Sequence, residues 1–269
     1  MTHMKLAKIV RKPWFYLVVM ALVLIVTIFV NRQHATAPTT SQATKTEPKP
    51  SNATRSDSTT TAPAFNKKRY STDDPSSIWV VVNKTRPLNP KTFAPDVAVP
   101  NVPLRLNAAN GEMHLSKTAI PQFEAMFAAA KHDGLQLMLA SGYRSYNLQV
   151  SVYGAEVKNF GQTQADRESA RPGFSEHQTG LAADIEPASR TCEVTDCFGD
   201  TAEGKWVAAN AYKYGFILRY TPDKESVTGY RHESWHVRYV GTELSQHMHD
   251  THIETLEEFF GLPAAPNYQ

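Results

Sequence analysis

Cysteine is almost missing from this chain: two in 269 residues, which alone do not complete a zinc site. The H-E-x-x-H pattern is absent too, so a helical zincin is excluded, and no segment repeats. A basic surplus is also lacking. The formal charge is +2, but Lys5, Lys8, Arg11, Lys12 and Arg32 flank an apolar run with no acid among them. Setting those five cations aside takes the formal +2 down by five to −3. A slightly acidic remainder has no electrostatic footprint for nucleic acid, so no such partner is expected.

Charge is missing again from Trp14 to Val30, WFYLVVMALVLIVTIFV. At about 1.5 Å per residue, the uncharged stretch from Pro13 to Asn31 comes close to spanning a hydrocarbon core. Most flanking cations precede it, which keeps the N-terminus in the cytoplasm and exports everything after Arg32. Ala35-Thr36-Ala37 resembles a signal cleavage site. The apolar run is longer than a usual signal core, however, and Pro38 would follow the cut, so residues 1–32 are expected to be an uncleaved transmembrane anchor. Large apolar side chains are scarce from 33 to 77, too few to offset the entropy of ordering. That stretch is expected to be a disordered Thr/Ser/Pro-rich tether, with an end-to-end distance of roughly 35–40 Å.

What remains, 78–269, carries a globular pattern. Ile78 to Val82 reads as a buried strand, and the Pro-rich stretch through Pro103 as extended loop. Ile120, Phe123, Met126, Phe127 and Ala130 recur at helical spacing up to Gly134. Leu135–Ala140, Leu181–Ile185, Phe216–Leu218 and Trp235–Val240 read as strands. Helices are expected from about Asn147 to Phe160, Lys205 to Tyr214 and Thr242 to Phe260. Helices and strands alternate irregularly, without βαβ punctuation, which predicts an α+β domain with a small, mostly antiparallel sheet packed by helices. In an exported domain Cys192 and Cys197, with four residues between them, are expected to form a disulfide.

A catalytic zinc takes three side chains from His, Asp, Glu or Cys and keeps one position for water. The best candidates lie in SEHQTGLAAD (Ser175 to Asp184) and ESWH (Glu233 to His236). His177 precedes a turn at Gly180, the following strand brings Asp184 back, and His236 arrives on a neighbouring strand. Glu233, three positions before His236, then suits the role of proton carrier. Other residues are set aside. His247, His249 and His252 do not share one helical face. His232 is expected to point away from Glu233 in extended chain, and Glu176 beside His177, for the same reason, to face solvent. Trp206 and Trp235 are expected to pack the core.

The combination SGYRS (Ser141 to Ser145), SEHQTGLAAD and ESWHVRYVG (Glu233 to Gly241) resembles the VanY-like D-alanyl-D-alanine carboxypeptidases, whose motifs are S-x-H-x-x-G-x-A-x-D and E-x-W-H. The likeness extends over nearly all of 78–260. It implies a zinc ion on His177, Asp184 and His236, with Glu233 as general base and acid. Arg144 corresponds to the arginine that stabilises the oxyanion, and Gln149 and Ser175 to positions holding the substrate's C-terminal end. Ser234 departs from the proline found in many relatives, with altered loop stiffness as the expected effect. The implied substrate is a peptidoglycan stem peptide ending in D-alanine, cut by a monomeric enzyme. The alternatives are an L,D-carboxypeptidase acting on tetrapeptide stems and a non-catalytic wall-binding module.

Overall fold

The structure, a computed structural model, describes residues 65–269. The expected anchor (1–32) and most of the expected tether lie outside the described residues. Among those described, no helix is long and apolar enough to cross a membrane.

Two very short strands, β1 (Val97–Ala98) and β2 (Leu115–Ser116), pair with each other. Helix α1 (Ile120–His132) follows, with Pro121 in its first turn, where no amide hydrogen is needed. Its buried face is Phe123, Met126, Phe127 and Ala130, the spacing the sequence displays. Then come β3 (Leu137–Ser141), α2 (Tyr146–Phe160) and α3 (Gln162–Glu168). Ser145 caps α2 by accepting the amide of Leu148 at 3.2 Å. The chain continues through β4 (Ala182–Pro187), α4 (Ala202–Asn210), β5 (Phe216–Tyr220) and α5 (Glu225–Thr228). It closes with β6 (Glu233–Tyr239), α6 (Thr242–Thr251) and α7 (Leu256–Phe260).

The main sheet has the order β3-β4-β6-β5 and is antiparallel throughout. The mixed architecture and the small antiparallel sheet agree with the expectation. One edge of the sheet is partly covered. Leu139 on β3 exchanges backbone hydrogen bonds with Pro103 and Arg105 (2.9 Å each), so the Pro-rich stretch shields an edge that would otherwise stay open. The larger apolar cluster joins α1 to β3, β4 and β6 through Phe123, Leu139, Ile185 and Val237; a second one gathers Trp79, Val81, Leu244, Met248 and Phe259.

Three expectations need correction. Ile78–Val82 is no strand. Its side chains do alternate, Val80 and Val82 entering the first cluster and Trp79 and Val81 the second. Its carbonyls, however, are taken by side chains: Arg238 donates to Ile78 (3.1 Å) and Val80 (2.7 Å), and Arg86 to Val81 (3.2 Å). Guanidinium groups satisfy the backbone where a neighbouring strand was expected. Secondly, the last helix is two helices. His252 adopts a left-handed conformation, and Thr255 opens α7 by accepting the amide of Glu258 at 3.1 Å. Thirdly, the folded unit begins before residue 78. Phe65 stacks on Trp79 (5.7 Å between centroids) and meets Phe259 edge-on at 5.3 Å, and Arg86 binds the carbonyl of Thr72 at 2.8 Å. Cys192 and Cys197 are disulfide-bonded.

Candidate functional site

Strand pairing builds the site. In the β4–β6 ladder Asp184 lies directly opposite His236, and in the β3–β4 ladder Ser141 lies opposite Asp184. His177 enters from a single 3-10 turn, Glu176–Thr179, that ends at Gly180 in a left-handed conformation (φ 66°). A side chain at Gly180 would also come within 2.8 Å of the Ser116 amide nitrogen, so glycine is required there.

Among the described residues, His177, Asp184 and His236 form a buried group whose donor atoms all lie within 4.8 Å of one another. His177 Nε2 is 3.4 Å from Asp184 Oδ2, and His236 Nδ1 is 3.1 Å from Asp184 Oδ1. The two imidazoles therefore turn opposite ring nitrogens inward. The outer nitrogen of His177, Nδ1, lies 2.7 Å from the carbonyl oxygen of Gly142 and donates to it when Nε2 faces inward. That carbonyl is placed by a tight passage. A Cβ on Gly142 would fall 2.2 Å from the His114 carbonyl oxygen.

Glu233 reaches the same spot, its Oε2 3.6 Å from His236 Nδ1. Residues three apart on a regular strand face opposite sides, so this proximity needs a local irregularity. The register supplies it. Val237 pairs with Leu218 but Glu233 with Tyr220, so β6 spends four residues where β5 spends two. That irregular stretch contains the step from Glu233 to His236, and within it Glu233 comes to lie beside the imidazole.

The electrostatics suit a cation. Burial would push Asp184 up, but His177 and His236 hold it well below the usual carboxylate range. Burial raises Glu233 to about 7, with Asp184 adding to the effect and His236 opposing it. Burial works against charge on His236 as well, yet the carboxylates of Asp184 and Glu176 beside it lift it to about 9. Burial lowers His177, with Asp184 opposing. An ionised aspartate between two imidazoles, one of which is drawn to accept a proton, is a donor set that attracts positive charge. Two histidines and a carboxylate also match the ligand chemistry of zinc.

Arg144 lines the same cleft. Its guanidinium donates to Gln149 Oε1 and Ser141 Oγ (3.1 Å each), and its Nε lies 3.4 Å from Glu112. Gln149 is fully buried, and its amide nitrogen donates to the Ala170 carbonyl at 2.6 Å. Both ends of that amide are taken, so Gln149 stands behind Arg144 and does not line the cleft. Ser175, also buried, does line it. Glu112 carries no motif in the sequence.

Glu176 is the clearest departure from expectation. It is not solvent-facing but 2% exposed, and it accepts hydrogen bonds from Arg219 and Arg238 at 2.8 Å each. The two arginines overcome burial and hold it well below the usual carboxylate range. The readable signal was arginine inside two apolar strands, FILRY and HVRY, since a buried guanidinium demands a buried carboxylate. The excluded histidines stay apart. His247 stacks on Phe65 and His249 on Tyr212, while His232 bonds to the Tyr220 carbonyl. Trp235 is buried and Trp206 packs at the core margin, its Nε1 donating to Asp133 at 2.7 Å.

Comparison with known proteins agrees with this geometry. The VanY family model, D-alanyl-D-alanine carboxypeptidase, matches residues 112–242. YodJ of Bacillus subtilis, named as a carboxypeptidase, is 43% identical over 188 residues, covering 70% of this chain and 68% of its own. Among solved structures, the LD-carboxypeptidase LdcB is 43% identical with a TM-score of 0.66, covering 70% of this chain and 87% of that one. A vancomycin-resistance D,D-pentapeptidase, VanY of a VanB-type cassette, was solved in complex with Zn(II). It is 33% identical with a TM-score of 0.55, covering 67% of this chain and 97% of that one.

Proposed function

Because this chain belongs to the VanY family of D-alanyl-D-alanine carboxypeptidases, we propose that it is a zinc peptidase that removes the terminal D-alanine from peptidoglycan stem peptides. The observation that carries the reading is the convergence of His177, Asp184 and His236 with Glu233 beside them. Those three side chains would hold the zinc ion, which supplies a Lewis acid for the scissile carbonyl and lowers the pKa of water.

The chain's own residues do the rest. Glu233, held near neutrality by burial, takes the proton of the attacking water and returns it to the leaving amine. Arg144, fixed by Gln149, Ser141 and Glu112, offers a preorganised cation to the oxygen on which charge develops. Ser175, which borders the cleft, would help hold the substrate's carboxyl end. Placement outside the cytoplasm on an N-terminal membrane anchor, as a monomer, belongs to the same proposal. The anchor rests on the apolar run from Trp14 to Val30.

The test is Glu233→Gln. The variant should bind zinc as the parent does and lose about a hundredfold or more of its turnover; comparable turnover rejects the assignment. A second reading concerns the bond cut. The likeness to LdcB favours an L,D-carboxypeptidase acting on tetrapeptide stems over a D,D-carboxypeptidase acting on pentapeptides. Mass spectrometry of digests of the two muropeptides separates them.

A further inference from the structure

Glu176 neighbours His177 in the chain but faces the other imidazole. Its Oε1 is held by Arg219 and Arg238, and Arg219 is gripped in turn by both oxygens of Glu257 at 2.7 and 3.0 Å. Its second oxygen, Oε2, is buried without a hydrogen-bond partner. So is Nε2 of His236, and the two atoms lie 3.8 Å apart. Leaving a buried polar atom unpaired costs on the order of 1–3 kcal/mol, and here two complementary ones face each other. At 3.8 Å the pair is longer than a hydrogen bond, and a movement of about 1 Å closes it. His177 meets the same need through the Gly142 carbonyl.

We propose that Glu176 is the positioning residue of His236: its carboxylate receives the Nε2 hydrogen, fixing the tautomer that leaves Nδ1 free beside Asp184. An ionised carboxylate only accepts, so it cannot support the opposite tautomer. The two arginines keep the carboxylate from turning away. A carboxylate behind a ligating histidine fixes its ring and raises its basicity. The inference rests on the zinc reading above.

Its test is zinc affinity, measured by chelator competition on the full chain in detergent. Wild type is compared with Glu176→Gln and Glu257→Gln. Both substitutions remove one buried negative charge from the same ionic cluster, but only Glu176 faces the imidazole. Glu176→Gln should bind zinc about 10–100-fold more weakly and Glu257→Gln like wild type. Equal affinity in Glu176→Gln and wild type, or equal losses in both variants, overturns the inference. A wild-type chain that takes up no zinc overturns the zinc reading and this inference with it. If the variants fail to fold, nitrogen-15 NMR of the wild-type zinc form decides. A protonated Nε2 on His236 supports the assignment, and a protonated Nδ1 overturns it.

Discussion

Glu233 shows how one side chain links chemistry to pH. A carboxyl group raised to about 7 in the folded protein holds its proton more tightly there than in the unfolded chain, where it ionises near 4.5. Its contribution to stability is thus present below about pH 4.5 and is lost as pH rises through about 7. Glutamine cannot ionise. Metal-free Glu233→Gln should therefore gain stability over metal-free wild type between about pH 5 and 8, by up to about 3 kcal/mol. Urea unfolding in chelator at both pH values checks this, and a difference that does not change with pH counts against it. At this scale the sequence was informative for residues whose chemistry is written in a motif: His177, Asp184, Glu233 and His236. It misplaced or missed those defined by what they touch. Gln149 and Glu112 hold Arg144 across 5 and 32 positions of chain, and Glu176 is buried by arginines 43 and 62 positions away.

Among elements, helix α1 was readable because a single amphipathic face determines it. The bulge in β6 was not, since it exists only in the pairing with β5. Ile78–Val82 misled for a related reason: its alternation is that of a strand, but the partners of its carbonyls are arginine side chains. The break between α6 and α7 did have a written sign. Thr255 and Glu258 form a capping pair, the Thr255 hydroxyl donating to Glu258 Oε2 at 2.9 Å. The turn after β3 deserves its own test. Because Gly142 has no room for a Cβ against the His114 carbonyl, Gly142→Ala should destabilise the protein by about 1–3 kcal/mol. It should also weaken zinc binding by shifting the carbonyl that holds His177. Thermal unfolding with and without zinc reads both effects, and an unchanged zinc-induced shift would detach the loop from the site.

For the molecule as a whole, composition placed the start of the fold too late. Residues 65–77 are polar enough to read as tether, yet Phe65 packs against Trp79, His247 and Phe259, and Tyr70 meets Trp79 edge-on. A chain cut to begin at 78 should therefore lose on the order of 2 kcal/mol against one beginning at 65, seen as a lower Tm. Equal midpoints would show the segment to be dispensable.

The ionic cluster of Glu176, Arg219, Arg238 and Glu257 also limits how this protein can vary. Removing one member strands an opposite charge in a dry interior, at a cost of about 3–5 kcal/mol. Replacing all four together by hydrocarbon would spare that cost, but it would leave the Ile78 and Val80 carbonyls without the Arg238 guanidinium and His236 Nε2 without the carboxylate behind it. Neither stepwise nor concerted change is free, so descendants are expected to inherit this quartet as a block.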